Sequence, residues 1–87
     1  MKKTVVLIVG GTEFSFSAEP QDLNNYINEL MPNNKVAPAR QFLMRTIESE
    51  QKDALKKLLD EGFGLEVELH SKVTEQLKGG LEISVKN

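Results

Sequence analysis

The sequence contains no cysteine and no tryptophan, and four phenylalanines and one tyrosine are its only aromatic residues apart from one histidine. The absence of cysteine excludes disulfide bonds and thiolate zinc sites, and it is compatible with a reducing compartment. No apolar run approaches the ~20 residues needed to span a bilayer. The basic start resembles a secretory signal, but the apolar run at residues 5–9 is short and no small-residue cleavage site follows it. A buried strand is therefore the preferred interpretation of this segment, and we expect no contact with a membrane.

Charge and motif content exclude further classes of function. With 13 acidic and 11 basic residues the net charge is −2, whereas a general nucleic-acid binder needs a basic surface to neutralise phosphates. Phosphate-loop and dinucleotide-binding motifs are absent. His70 is the only histidine, the partners that a catalytic triad or an imidazole metal site would need are not identifiable in the sequence, and we expect His70 to face solvent. We predict that the protein is not an enzyme and has no catalytic residues, metal, cofactor or small-molecule substrate.

The length of 87 residues predicts one domain, spanning residues 1–87. Hydrophobic residues make up 39% of the chain, enough for a modest core built mainly of Leu, Val and Ile. A domain of this size is expected to be stable by only about 5 kcal/mol. Association with other copies would help it, because a partner can bury what the monomer leaves exposed.

The first two elements are predicted to form a β-hairpin. Residues 3–9, "KTVVLIV", are almost continuously apolar, which is typical of a central strand covered on both faces or nearly so. Gly10 and Gly11 provide a turn where positive φ is cheap. In residues 13–17, "EFSFS", Phe14 and Phe16 fall on one face and polar residues on the other.

Three amphipathic helices are predicted near residues 20–31, 38–47 and 50–60. Pro20 and Pro38 suit first-turn positions, and Pro32 ends the first helix. Apolar residues recur at helical spacing in all three segments. The predicted inward positions are Leu23, Tyr26, Ile27, Leu30 and Met31 in the first helix, Ala39, Phe42, Leu43, Thr46 and Ile47 in the second, and Ala54, Leu55, Leu58 and Leu59 in the third.

Two interpretations compete for residues 65–78. The stretch "LEVELH" alternates as a strand would, but Leu65, Leu69, Val73 and Leu77 form an i, i+4 stripe that continues beyond the alternating part. We predict a fourth helix on that basis. Residues 81–86, "LEISVK", alternate again and are predicted to form a strand beside the first strand. The predicted fold is α+β: an N-terminal hairpin, three or four helices and a C-terminal strand, with the helices on one face of a small three-stranded sheet.

One segment has an unusual charge. From residue 30 to residue 47 there is no acidic residue, although the whole chain is acidic. Two methionines and one valine accompany one lysine and two arginines in and around the loop that joins the first two helices. These residues either fill core gaps and solubilise a helix, or they form an interaction surface, for which methionine and arginine are well suited. The hypothetical partner-binding or self-association residues are Met31, Lys35, Val36, Arg40, Met44 and Arg45.

Residues 26–47, "YINELMPNNKVAPARQFLMRTI", resemble a family of small phage and prophage proteins, the tail assembly chaperones of long-tailed phages. Members are similar in size, begin with a hairpin like "VVLIVGGTEFSFS" and end with a strand like "LEISVK". The resemblance covers most of the chain and is most specific in residues 20–59. It departs at residues 62–80, where family members are richer in alanine and more plainly helical.

The resemblance implies a non-enzymatic chaperone that binds the tape measure protein and keeps it soluble during tail assembly. Tail tube subunits then polymerise around the tape measure protein and displace the chaperone. The implied partners are the tape measure protein, the tail tube protein and other copies of the chain, in the cytoplasm of the bacterial host and not in the mature virion. The resemblance carries over no catalytic residues. The alternative function is a stand-alone adaptor or regulator that binds one folded protein and is unrelated to tails.

Overall fold

The computed structural model describes residues 2–79 and 84–86, which form a β-hairpin followed by four helices. This architecture confirms the predicted α+β class. The elements are β1 (Lys3–Val9), β2 (Thr12–Ala18), α1 (Pro20–Glu29), α2 (Val36–Thr46), a single 3₁₀ turn (Ser49–Gln51), α3 (Lys52–Glu61) and α4 (Leu65–Leu77).

The hairpin forms as predicted. β1 and β2 pair antiparallel in a regular register that brings Val9 opposite Thr12. Gly10 and Gly11 both have positive φ, at 57° and 84°, as type I′ hairpin turns require. One face of the hairpin packs against the helices and buries Val5, Phe14, Phe16 and Ala18.

The prediction that β1 is covered on both faces was wrong. Val6 and Ile8 are 53% and 71% exposed on the outward face of the hairpin. The helices form one layer on the opposite face, so nothing in the described chain covers these two side chains. The run of apolar residues in β1 therefore does not correspond to a central, doubly covered strand.

The predicted third strand, at residues 81–86, is not seen. Residues 84–86 are exposed and have no strand structure, and residues 81–83 lie outside the described part of the chain. Within that part, the sheet has two strands in the order β1-β2. Alternation of polar and apolar residues predicts that a segment would suit a half-buried strand, but it does not provide the neighbour whose hydrogen bonds make it one.

The first three helices begin and end within about two residues of the predicted positions. α2 begins at Val36, so Pro38 lies in its first turn, where its missing N–H would have no helical partner. The 3₁₀ turn precedes α3, whose helical residues begin at Lys52.

The fourth helix, α4, confirms the helical interpretation of residues 65–78. Gly64 precedes it with a φ of +73°, which is the conformation that favours glycine. Leu69 and Val73 are buried, and α4 packs against α2 and β1. The i, i+4 stripe was the deciding signal, because it outlasts the alternating residues.

A single cluster of buried residues joins the hairpin to α2, α3 and α4. It includes Phe42 and Leu43, both fully buried as predicted. Its members are Val5, Phe14, Phe16, Ala18, Phe42, Leu43, Ile47, Leu55, Leu59, Leu69 and Val73.

The inward stripes of α1 and α3 are narrower than predicted. Ala54 is exposed, whereas Leu55 and Leu59 are buried and Leu58 is half-buried against the core. α1 has no buried residue at all, and its predicted inward residues Ile27 and Leu30 are exposed. In the described residues, no helix has both the length and the apolar character to cross a membrane.

Candidate partner-binding surface

The loop between α1 and α2, residues 30–35, is here called the elbow. Two backbone hydrogen bonds close it: Asn34 N donates to Met31 O at 3.1 Å, and Met31 N donates to Asn34 O at 3.4 Å. The Asn34 side chain accepts a hydrogen bond from Ala37 N at 3.3 Å, in the first turn of α2. Pro32 also fixes its own φ. The elbow is therefore a constrained turn that fixes the position of the end of α1 relative to the start of α2.

Four exposed apolar side chains, here called the elbow patch, lie on the end of α1, the elbow and the start of α2. Ile27 is 55% exposed, Leu30 36%, Met31 61% and Val36 48%. Ile27 lies in the last turn of α1, which ends at Glu29, and Leu30 and Met31 follow directly after that helix. Single exposed apolar residues are ordinary, but a group of them marks a candidate interaction site.

The sequence analysis missed Ile27 and Leu30 as surface residues, since it assigned them to the core-facing stripe of α1. A signal was available. The stripe continues without a break to Met31, directly before Pro32. Pro32 excludes a further helical turn, and α1 ends at Glu29, so Leu30 and Met31 lie beyond its last turn.

Arg40 faces away from the elbow, toward α3 and α4. It donates a hydrogen bond to Asp60 on α3, and its Nη1 lies 3.6 Å from the Glu66 carboxylate on α4. The hydrogen bonds from Arg40 and then Lys56 lower the pKa of Asp60. Glu66 is buried, and a buried carboxylate needs a nearby cation. Arg40 therefore compensates a charge inside the helical layer.

Arg45 points to a different neighbour, the first helix. Its Nη1 lies 3.4 Å from Glu29 Oε1, and its Nη2 donates to Asp22 O at 3.5 Å. At 3.6 residues per turn, Arg40 and Arg45 are about 140° apart around the axis of α2. The two arginines thus bind separate helices, and Arg45 ties α1 to α2.

Of the six residues predicted from the sequence, the structure brings three together at the elbow. Met31, Lys35 and Val36 are exposed there. Met44 is half-buried and packs against the core cluster. Lys35 has no ion-pair partner in residues 2–79 and 84–86, whereas both arginines have one. The local positive charge of this region is therefore concentrated on Lys35.

The prediction that His70 faces solvent was wrong. The side chain lies beneath α1, stacked on Tyr26 with 3.7 Å between ring centroids. The Phe42 ring packs against it in a T-shaped arrangement with 4.8 Å between centroids. His70 Nε2 is buried, with no hydrogen-bond partner in the described chain. Burial lowers the pKa of His70 from about 6.5 to about 4. The imidazole is neutral at pH 7 and acts as a packing surface for α1.

A cation site is not evident in the described residues: no three His, Cys, Asp or Glu side chains come close enough together to hold a metal ion.

Comparisons with known proteins give a consistent result. The family model described as phage tail assembly chaperone matches residues 5–87. A protein of Haemophilus phage HP1 (strain HP1c1), described as an uncharacterized 11.3 kDa protein in the lys 3′ region, is 32% identical over 87 residues, which are 100% of this chain and 84% of that protein. No solved structure matches the chain. The similarity includes the hairpin and the helices and is not confined to the elbow.

Proposed function

Because this chain belongs to the phage tail assembly chaperone family, we propose that it binds the tape measure protein and keeps it soluble while the tail is assembled. The role is that of a non-enzymatic binding protein. It acts in the cytoplasm of the bacterial host and is left out of the mature virion. The tail tube protein then competes with it, because tube subunits displace it as they polymerise around the tape measure protein.

The observation that carries this proposal is the elbow patch. A long helical chain with apolar stripes aggregates when those stripes are exposed, and a protein that prevents this must offer apolar surface of its own. Ile27, Leu30, Met31 and Val36 offer such surface within ten residues of the chain, at and beside the elbow. The hydrogen-bonded elbow holds them in a fixed arrangement, which lowers the entropy cost of binding.

Charge suggests which helix would bind. Lys35 is the unpaired cation beside the elbow patch in the described chain. A tape measure segment with an acidic residue next to its apolar stripe would pair with Lys35 and cover the patch. Met31, Lys35 and Val36 would contact the segment directly. Arg40, Met44 and Arg45 would act indirectly, by holding α2 against α1, α3 and the core.

The test removes the apolar character of the elbow patch. The double variant Met31→Asp/Val36→Asp should bind the tape measure protein at least about tenfold more weakly, since the loss of two central apolar contacts at about 1 kcal/mol each exceeds the roughly 1.4 kcal/mol of a tenfold change. In co-expression, the tape measure protein should move from the soluble fraction to the pellet. Affinity is measured by titration with a soluble tape measure fragment.

The matched control is Val67→Asp. Val67 is 46% exposed on α4, nearly the same fraction as the 48% of Val36, so this variant loses a comparable exposed side chain at another place. It should bind like the parent. Charge reversal of Arg40 is a poor probe, because it would place a second carboxylate beside the buried Glu66.

Two outcomes would contradict the proposal at different levels. If the double variant melts like the parent and also binds like it, the elbow patch is not the binding surface. If the parent itself neither co-purifies with the tape measure protein nor raises its soluble yield, tape measure binding is the wrong function.

A further inference from the structure

The two outer edges of the hairpin differ in whether the described residues form hydrogen bonds to their backbone groups. On β2, Glu48 N donates to Ser15 O at 2.9 Å. Gln51 completes the cover: its Oε1 accepts from Ser15 N at 2.9 Å, and its Nε2 donates to Glu13 O at 2.7 Å. Phe16 also forms a bridge with Ile47. The chain that follows α2 therefore closes this edge.

The described residues provide no such cover for the outer edge of β1. In a hairpin with a two-residue turn, the residues flanking the turn exchange hydrogen bonds, and such pairs recur at every second position. The outward N–H and C=O groups of β1 therefore belong to Thr4, Val6 and Ile8. Glu13 and Ser15 pair with Ile8 and Val6, and their backbone groups also point outward, because Gln51 and Glu48 bind them from outside the hairpin. Within residues 2–79 and 84–86, the outward backbone groups of β1 have no hydrogen-bond partner.

Apart from Lys3 at its start, this edge also lacks the features by which proteins prevent strand addition. Edge strands are commonly short, bulged, or interrupted by charges or proline. β1 is seven residues long and its pairing with β2 is regular, and residues 4–9 contain neither a charge nor a proline. The exposed side chains of Val6 and Ile8 stand beside the open edge. An added strand would satisfy the backbone and cover apolar surface at the same time.

We propose that β1 pairs antiparallel with β1 of a second copy of this chain, across a twofold axis at Val6. The two hairpins then form one continuous four-stranded sheet. Val6 lies opposite Val6 of the second copy, and Thr4 lies opposite its Ile8. Pairing of the outward groups supplies about six hydrogen bonds between the copies.

The charges of the strand favour a second copy as the occupant. In this register Lys3 lies opposite Val9 of the second copy and not opposite another lysine. Glu13, which pairs with Ile8 within its own hairpin, lies on the outer strands of the combined sheet, far from its counterpart. Val6 and Ile8 of both copies meet on the outward face. The edge is thus self-complementary, and this inference uses no residue of the elbow patch and does not depend on tape measure binding.

A cross-linking experiment tests the register directly. The chain has no cysteine, so Val6→Cys introduces a single thiol. Directly opposed residues in a hydrogen-bonded antiparallel pair have Cα atoms about 5.5 Å apart, within the range that a disulfide spans. Mild oxidation of Val6→Cys should give a covalent dimer. Mixing Thr4→Cys with Ile8→Cys should give the mixed dimer in preference to either homodimer.

The matched control is Ser15→Cys. Ser15 is the β2 partner of Val6 and lies on the same face of the hairpin. In the proposed sheet, however, the two copies of Ser15 are three strand spacings apart, about 14 Å, which is too far for a disulfide. This variant should stay monomeric in denaturing gels.

The association itself is measured by sedimentation equilibrium. The parent should approach twice the 9.7 kDa of one chain as concentration rises, and Val6→Lys should remain a monomer with an unchanged circular dichroism spectrum. A monomeric parent with no Val6→Cys dimer would overturn the proposal. So would Ser15→Cys cross-linking as readily as Val6→Cys, or a dimer that survives in Val6→Lys. A monomeric parent whose tape measure binding is lost in Val6→Lys would also overturn it, and would assign the edge to a strand of that partner.

Discussion

The buried imidazole of His70 makes a sharp prediction about stability and pH. Burial beneath α1, where His70 stacks on Tyr26, lowers the pKa of His70 from about 6.5 to about 4. The unfolded chain therefore takes up a proton between these two values while the folded chain does not. The contribution of the neutral His70 to stability is fully present above pH 6.5 and is lost progressively as the pH falls toward 4.

The size of the effect follows from the two pKa values. The difference between about 6.5 and about 4 corresponds to roughly 3 kcal/mol in total, of which about 2 kcal/mol is lost by pH 5. A domain of this size is expected to be stable by only about 5 kcal/mol. Lowering the pH from 8 to 5 should thus reduce the melting temperature by about 10 °C through this residue alone.

The assay compares the parent with His70→Phe by urea unfolding at several pH values. Phenylalanine keeps a ring against Tyr26 and Phe42, removes the titration and removes the unpaired Nε2. Carboxylates titrate in both proteins, so the difference between the two stability curves isolates His70. The free energy of unfolding of the variant should fall by about 2 kcal/mol less than that of the parent between pH 8 and pH 5.

The reasoning would be refuted if the two proteins lost equal stability over that range. A second readout is available because His70 is the single histidine, so one imidazole signal is expected in a proton spectrum. A titration midpoint near 6.5 in the folded protein would show that the ring is hydrated and not packed beneath α1.

Two further predictions concern the core and the capped edge of the hairpin. Phe42→Ala or Leu43→Ala should reduce the free energy of unfolding by roughly 2–5 kcal/mol, because both side chains are fully buried; an unchanged urea midpoint would place them outside the core. Gln51→Ala should cost about 1–2 kcal/mol, because it leaves Ser15 N and Glu13 O without partners. The control is Gln41→Ala, at an exposed position on α2, which should change the free energy of unfolding by less than about 0.5 kcal/mol. Equal effects of the two glutamine variants would show that the hydrogen bonds of Gln51 to the β2 edge do not stabilise the domain.

Short-range patterns were sufficient to predict most of the secondary structure. Gly10 and Gly11 fixed the hairpin turn, because two adjacent positive φ angles are cheap for glycine. The stripe of Leu65, Leu69, Val73 and Leu77 fixed α4 against a competing strand pattern. Backbone conformation and the spacing of apolar residues depend on neighbours along the chain, so both can be read from the sequence alone. The family resemblance was carried by residues 26–47 in the same way and was confirmed by the family match over residues 5–87.

Tertiary structure alone decided which apolar faces are covered and which charges are paired. The stripe of α1 predicted an amphipathic helix, but whether Ile27 and Leu30 are buried depends on the elements packed beside them, and none covers them in the described chain. His70 is buried because Tyr26, 44 positions earlier in the sequence, stacks on it. Arg40 is neutralised by Asp60 and Glu66, which belong to two other helices. Burial and ion pairing are properties of neighbours in space, so a pattern along the chain identifies the residues that can take part but not the partners they find.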